Sequence, residues 1–217
     1  RAAQALGIEM VGCIQTLGHL GQILRWRNYA QVADTGSVLM VDEKATYALI
    51  DKMVSVFART YRSRRIHIGM DETHDLGRGK FLEKRGFQNQ WDLFNRHLKR
   101  VVAICRKHGL KPMIWSDMYF RIGSKTHEYY DRECVIPKSV AKAIPKQAQL
   151  VYWDYYHDSE AFYRDWIGRH RKMGFDPVVA SGIWSWSHLW YGREKTEAFV
   201  PPCIQACPTR IDVPTFI

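Results

Sequence analysis

Two adjacent carboxylates, Asp71 and Glu72, close the hexapeptide His67-Ile68-Gly69-Met70-Asp71-Glu72 at the end of the apolar run Ile66 to Met70. Acids set where a buried strand gives way to a loop have proton affinities tuned by burial and neighbours, which is what general acid and base work requires. Side chains alternate along a strand, so His67, Gly69 and Asp71 are expected on one face. Glu72 then lies just past the strand, where the turning chain brings both acids around one ligand. Gly69 carries no side chain and leaves room beneath the pair. The bland reading, an exposed Asp-Glu that opens a loop, has to be weighed against what the other strand ends carry.

Those ends repeat the pattern. Gln15-Thr16-Leu17-Gly18-His19 follows an apolar run over Ile8 to Ile14, Trp115-Ser116-Asp117 ends Lys111 to Trp115, and Tyr152-Trp153-Asp154-Tyr155 ends Gln149 to Trp153. Trp184-Ser185-Trp186 follows a run near Val178 to Ser181. A core gains nothing from that bias toward polar and aromatic residues. Residues two apart share a face, which pairs Trp115 with Asp117, Tyr152 with Asp154, and Trp184 with Trp186. Ring faces beside carboxylates and hydroxyls suit a sugar, which offers C–H patches to the rings and hydroxyls to the polar rim. His67, Asp71 and His74 form an alternative set, that of a metal-dependent hydrolase of the same barrel shape.

The elements that must hold these residues read as one βα unit after another. Asp42 is expected to cap a helix with Ala45, Leu49, Met53, Val54 and Phe57 inward. Trp91, Phe94, Leu98, Val101, Val102 and Cys105 mark a second helix ending near Gly109. Ser159 caps a third, with Phe162, Trp166, His170 and Met173 inward and Gly174 at its end. A further helix is expected near Glu194 and a further strand over Ile211 to Ile217. Nearly continuous apolar strands alternating with helices predict parallel strands covered by helices. The fold class is therefore α/β, a (β/α)8 TIM barrel in one domain over residues 1–217. Eight strands typically need ~250 residues, so an incomplete barrel is expected, lacking the first strands and most of the last unit. A doubly wound sheet is the alternative, without its glycine-rich phosphate turn.

Composition narrows the partners. The 217 residues, 46% of them hydrophobic, suffice for a sizeable core. Lys and Arg exceed Asp and Glu by 32 to 22, a net charge of +10, but the excess is spread over helix faces such as Arg96 to Lys107 and Arg164 to Lys172. No nucleic-acid motif accompanies it, and no nucleic-acid partner is expected. Five scattered cysteines predict reduced thiols; Cys203 and Cys207 lack a second ligand pair for zinc. Neither a signal-peptide pattern nor a membrane-crossing stretch occurs, and no membrane partner is expected. Trp190, Tyr191 and a helix carrying Phe199 offer a contact surface for a homodimer, although oligomeric state stays open.

The hexapeptide resembles the His-x-Gly-x-Asp-Glu signature of glycoside hydrolase family 20, the β-N-acetylhexosaminidases. Gln15 to His19, Trp115 with Asp117, Tyr152 with Asp154 and the Trp184 to Trp186 segment are similar to that family's other pocket segments, in the same order. The style looks closest to its smaller cytoplasmic bacterial exo-hexosaminidases. The resemblance implies an enzyme that removes terminal β-linked N-acetylhexosamine from an oligosaccharide or glycoconjugate, with retention and without cofactor or metal. Glu72 would be the general acid and base, and the substrate's own 2-acetamido oxygen the nucleophile. Asp71 would steer the amide N–H of the oxazolinium intermediate, and Tyr152 would donate to the acetamido oxygen, with Tyr155 the substitute if Tyr152 faces the core. His19, His67, Trp115, Asp117, Trp153, Asp154, Tyr155, Trp184 and Trp186 would contact substrate or orient the acids. The family's early-strand arginine has no candidate here. A sugar-binding fragment without catalysis is the remaining alternative.

Overall fold

The computed structural model describes residues 2–182. Helices α1 (Ala2–Ala5), α2 (Gly21–Leu24) and α3 (Lys44–Thr60) precede strand β1 (Arg65–His67), and α4 (Lys80–Arg85) and α5 (Gln90–Lys107) lead to β2 (Lys111–Trp115). Then come α6 (Asp117–Arg121), α7 (Lys138–Ala143), β3 (Gln149–Trp153), α8 (Glu160–Lys172) and β4 (Val178–Ala180). The four strands form one parallel sheet in sequential order, β1-β2-β3-β4. Ile66 pairs with Pro112, Ile114 with Leu150 and Tyr152 with Val179. Order never reverses among the described strands. A doubly wound sheet needs such a reversal to make its switch point, and a barrel does not.

Residues 12–16 run beside β1 as a further edge. The Gly12 carbonyl accepts from His67 N (3.0 Å), Ile14 N donates to the His67 carbonyl (2.9 Å), and Thr16 N donates to the Ile68 carbonyl (3.2 Å). The strand expected over Ile8 to Ile14 is thus reduced to a bridge at Cys13. β1 begins only at Arg65, so residues before Gly12 meet no strand there. β2 and β3 match their expected ranges, since each is an unbroken apolar run with buried centre. β1 is shorter than Ile66 to Met70 because Gly69 (φ 68°) and Met70 (φ 74°) enter the left-handed region and end regular alternation.

α5 buries most of its expected stripe, with Trp91 partly covered, whereas the α3 stripe is rotated: Ala45, Leu49 and Met53 stay partly exposed and Thr46 and Ile50 turn inward in their place. α5 turns Leu93, Phe94, Leu98, Val101, Val102 and Cys105 inward, and Asn89 caps it by accepting from Trp91 N and Asp92 N. α3 buries Thr46, Ile50, Val54 and Phe57. Asp42 is not its side-chain cap. It sits at φ 67° with its carboxylate on Arg96 (2.8 Å) and Arg100 (3.6 Å), because the long cations of α5 reach it before the α3 amides do. Ser159 stands at the α8 N-terminus without a side-chain cap bond, and Trp166 and His170 are the fully buried residues of that helix. Trp184, Trp186, Trp190, Tyr191, Phe199, Cys203 and Cys207, with the helix near Glu194 and the strand over Ile211 to Ile217, lie outside the described residues. Cys13, Cys105 and Cys134 are free thiols. No described helix is long and apolar enough to cross a membrane.

The loop that leaves the Asp-Glu pair is tied down by one buried acid. Asp34 accepts from Gly77 N (2.7 Å) and Phe81 N (2.8 Å), and a Cβ on Gly79 would overlap the Asp34 carbonyl. At Gly69 the constraint is similar, since a Cβ there would overlap the Gln15 carboxamide. The Gly69→Ala variant must hold a left-handed residue and displace Gln15, so it is expected to lose about 1–3 kcal/mol of stability. Thermal unfolding measured beside wild type checks this, and an unchanged midpoint would refute it.

Candidate active site

Asp71 and Glu72 leave the end of β1 through a kink rather than by strand alternation. Glu72 has φ 51°, the third left-handed residue within four positions after Gly69 and Met70. The kink brings the two carboxylates to one point: His19 Nε2 lies 3.0 Å from Asp71 Oδ2 and 3.3 Å from Glu72 Oε2. His19 itself is left-handed (φ 55°) and 44% exposed, so the bridge faces solvent at the C-terminal mouth of the sheet. Its neighbour Gly18 permits this approach, because a Cβ there would press on the Asp71 carbonyl at 2.8 Å and on the Thr73 methyl at 2.7 Å.

Gln15 supports the kink from the adjacent edge. Its Nε2 donates to Asp71 Oδ1 (2.9 Å), while its Oε1 accepts from Met70 N (3.3 Å). One carboxamide thus satisfies both the left-handed backbone and one oxygen of the acid. The segment carrying Gln15 is anchored in turn by a buried relay. Thr16 Oγ1 donates to the Ile68 carbonyl (2.8 Å), and His97 Nε2 meets the Thr16 carbonyl (2.9 Å). A carbonyl only accepts, so Nε2 carries the proton and Nδ1 accepts from the Tyr47 hydroxyl (3.2 Å). Burial pushes His97 down to about 4, so it stays neutral.

Asp117 supports the pair from beneath. It is fully buried, and its Oδ2 accepts from Glu72 N (3.1 Å). Burial, then the nearby charge of Asp71, pushes its carboxyl up to about 7, against the opposing pull of the Glu72 amide and the Trp153 indole. It thereby braces the backbone of Glu72, because α6 starts at this residue and turns the chain inward. A second relay sets its surroundings. Trp153 N donates to the Tyr130 hydroxyl (3.2 Å), Tyr130 meets Ser116 Oγ (3.1 Å), and Ser116 Oγ meets His170 Nε2 (2.8 Å). His170 Nδ1 donates to the Trp166 carbonyl (2.7 Å), and burial holds this imidazole at about 4.

The expected pocket residues divide into two groups. His67 and Trp115 pack together with ring centroids 4.2 Å apart, and Trp153 stacks on Tyr155 at 5.5 Å and 19°. His67 accepts from Gly69 N (3.1 Å), and burial pushes it down to about 4. Tyr155 is half-buried and feels the charges of Asp71 and Asp117; burial foremost, then Asp71, pushes its phenol up to about 12. Tyr152 faces the other way. It is fully buried against Tyr130, Trp166 and His170, and its hydroxyl donates to Asp154 Oδ2 (2.9 Å). Alternation sends Trp153 toward the acids, so Tyr152 must meet α8. The shared face of Tyr152 and Asp154 is present, but it is the helix-packed face. Asp154 also takes Tyr156 N (2.9 Å) and His157 Nδ1 (2.8 Å), so its oxygens tie down the loop that follows β3.

His67, Asp71 and His74 are not gathered into a ligand set: His67 packs on Trp115, while His74 meets the Tyr129 hydroxyl (2.9 Å). Among the described residues no group of three or more His, Cys, Asp or Glu is arranged to hold a metal. Sequence reasoning overlooked Gln15 as a partner of Asp71, and Tyr129 altogether. Tyr129 stands in a loop with no periodicity, yet its hydroxyl reaches the Glu72 side chain as well as His74.

A buried acid whose proton leaves only near neutrality links stability to pH. Stability tied to the Asp117 proton is present below the ordinary carboxylate value near pH ~4 and is lost as pH rises through about 7. Asp117→Asn keeps an oxygen for the Glu72 amide and has no proton to lose. Its melting temperature is expected to gain on wild type as pH increases across that window; parallel curves would refute the assignment.

The chain matches the model of the glycosyl hydrolase family 20 catalytic domain over residues 4–179. It is 24% identical to Hexosaminidase D of Homo sapiens, covering 90% of this chain and 38% of that protein. To Hexosaminidase D of Bos taurus it is 22% identical, over 83% of this chain and 49% of that one. It therefore spans half or less of these curated relatives. Among solved structures, the family 20 β-N-acetylhexosaminidase of Streptomyces coelicolor A3(2) superposes with a TM-score of 0.52 at 22% identity, over 82% of this chain and 31% of that one. The exo β-N-acetylglucosaminidase of Vibrio harveyi, in complex with N-acetylglucosamine, gives 0.56 at 18% identity, over 82% and 26%. These likenesses make the four-stranded sheet part of a TIM-barrel fold. With the family model covering most of its length, the chain belongs to glycoside hydrolase family 20, a family of hexosaminidase hydrolases.

Proposed function

We propose that the chain carries the acid/base pair of an exo-acting, retaining β-N-acetylhexosaminidase that works through an oxazolinium intermediate. The observation that supports this most is the single histidine nitrogen within reach of both carboxylates, 3.0 Å from Asp71 and 3.3 Å from Glu72, with the stacked rings of Trp153 and Tyr155 nearby, the Tyr155 phenol feeling the charge of Asp71. Relatives solved with N-acetylglucosamine bound support the substrate class.

Glu72 protonates the glycosidic oxygen as its bond to the anomeric carbon breaks. The 2-acetamido carbonyl oxygen of the same sugar closes on that carbon from the opposite face. Asp71 accepts the amide N–H and stabilises the positive charge of the cyclic ion, with Gln15 holding its other oxygen. Tyr155 takes the donor role first expected of Tyr152 and holds the acetamido oxygen in line. Water then attacks the anomeric carbon, Glu72 removes its proton, and the ring opens with configuration retained. An attached nucleophile avoids the entropy of bringing one in, worth up to ~7–11 kcal/mol at its best.

Glu72→Gln is expected to lower kcat about 100- to 10,000-fold for substrates with poor leaving groups, and much less for an activated aryl glycoside that needs no proton. Equal losses on both would remove Glu72 from the acid role. Asp71→Asn is expected to slow formation of the cyclic ion, and a 2-acetamido group should be required: paired chromogenic sugars with and without it give the direct reading. Efficient release from the sugar lacking that group would end the mechanism.

A further inference from the structure

On the side of Glu72 that carries Tyr129 lies a cleft of about 410 Å³ lined by His74, Arg78, Gln90, Met118, Arg121, Ile122 and His127. Its ionisable lining is entirely cationic or imidazole, with no carboxylate. Elsewhere most arginines of α5 and α8 are already matched, as in Arg96 with Asp42 or Arg169 with Asp165. Arg78 and Arg121 meet no acid among the described residues. Arg121 lies over Tyr129, its guanidinium carbon 4.8 Å from the ring centroid. Arg78 lies over Phe87 at 4.3 Å, with Nη1 near the Gly77 and Gln88 carbonyls (3.3 Å each). Both forks are therefore fixed in place while their charge stays uncompensated, the arrangement that favours an anion with little ordering cost.

The position of the cleft says which part of a substrate it meets. Tyr129 and His74 join it to Glu72: the Tyr129 hydroxyl reaches both the Glu72 carboxylate and His74 Nε2. Tyr155 feels the charge of Asp71 and Tyr129 that of Glu72, and the Trp153 ring lies between them, 5.5 Å from Tyr155 and 5.6 Å from Tyr129. The proposed reaction puts the hydrolysed sugar against Asp71 and the leaving group against the proton of Glu72. A cleft reached by passing Glu72 away from Asp71 is thus on the leaving-group side.

Resting on that reading, we propose that this cleft is the leaving-group subsite and takes a sugar residue bearing a carboxylate or sulfate. Arg121 is the central contact and Arg78 its second cation, with Gln90 and the two imidazoles able to meet hydroxyls. The two fixed guanidiniums would accept either anion.

The test compares kcat/KM for three disaccharides with the same β-linked N-acetylglucosamine: on glucose, on glucuronate, and on a sulfated glucose. A small neutral aryl N-acetylglucosaminide serves as reference. Wild type is expected to prefer at least one charged disaccharide over the neutral one, with the preference shrinking as salt rises. Arg121→Gln is expected to lower the charged-to-neutral ratio about tenfold, and Arg121→Lys, which keeps the charge but not the fork, to restore only part of it. Preference for one anion alone identifies the group bound. A wild-type ratio at or below one, or a ratio unmoved by Arg121→Gln, overturns the proposal while aryl hydrolysis leaves the enzyme reading intact. Loss of all hydrolysis, aryl substrate included, in the wild type would bring down both.

Discussion

Two neighbouring carboxylates cannot face one ligand while their strand keeps alternating. Every structural feature around Asp71 and Glu72 follows from breaking that alternation at a cost. Gly69, Met70 and Glu72 adopt left-handed backbone, and two of the three carry side chains that disfavour it by roughly 1–2 kcal/mol each. Nothing local offsets this. The offset comes from neighbouring segments: the Gln15 carboxamide takes Met70 N, and the Asp117 carboxylate takes Glu72 N. The same two side chains also touch or face Asp71, so the groups that stabilise the kink are neighbours of the acids it delivers.

That support depends on parts of the molecule that never approach the acids. Gln15 is placed because Thr16 is pinned between Ile68 and His97, and the carbonyl of Trp166 orients His170, which reaches Trp153 through Ser116 and Tyr130. Both histidines are held neutral by burial, so each passes one hydrogen-bond direction from helix to strand end without placing a charge in the core. The helices α5 and α8 thereby contribute orientation as well as apolar burial.

Charge is divided by depth. Asp117, fully enclosed, resists ionisation, whereas Asp71 and Glu72 share a half-exposed histidine at the mouth. Beyond them, toward Tyr129, the walls turn cationic. A net charge of +10 says nothing about this, since most of the excess is solvated or paired on helix faces. Only two fixed guanidiniums without acids give that part of the mouth its character.

From the sequence alone came the parallel α/β order, the inward stripes of α5, the limits of β2 and β3, and the acid pair at a strand end. These are local consequences of periodicity and of residue type, which a linear pattern records. Alternation misled where the chain left regular structure: it placed Asp71 with His67 as though β1 continued to Met70, and it could not tell that the face shared by Tyr152 and Asp154 is covered by α8. Asp117 looked like a rim residue because nothing local reveals that α6 turns it inward. Gln15, Tyr129 and the relays through His97 and His170 join residues far apart in the chain. Their roles arise only when packing brings a donor to an acceptor, and that is a property of three-dimensional distance which no spacing along one dimension contains.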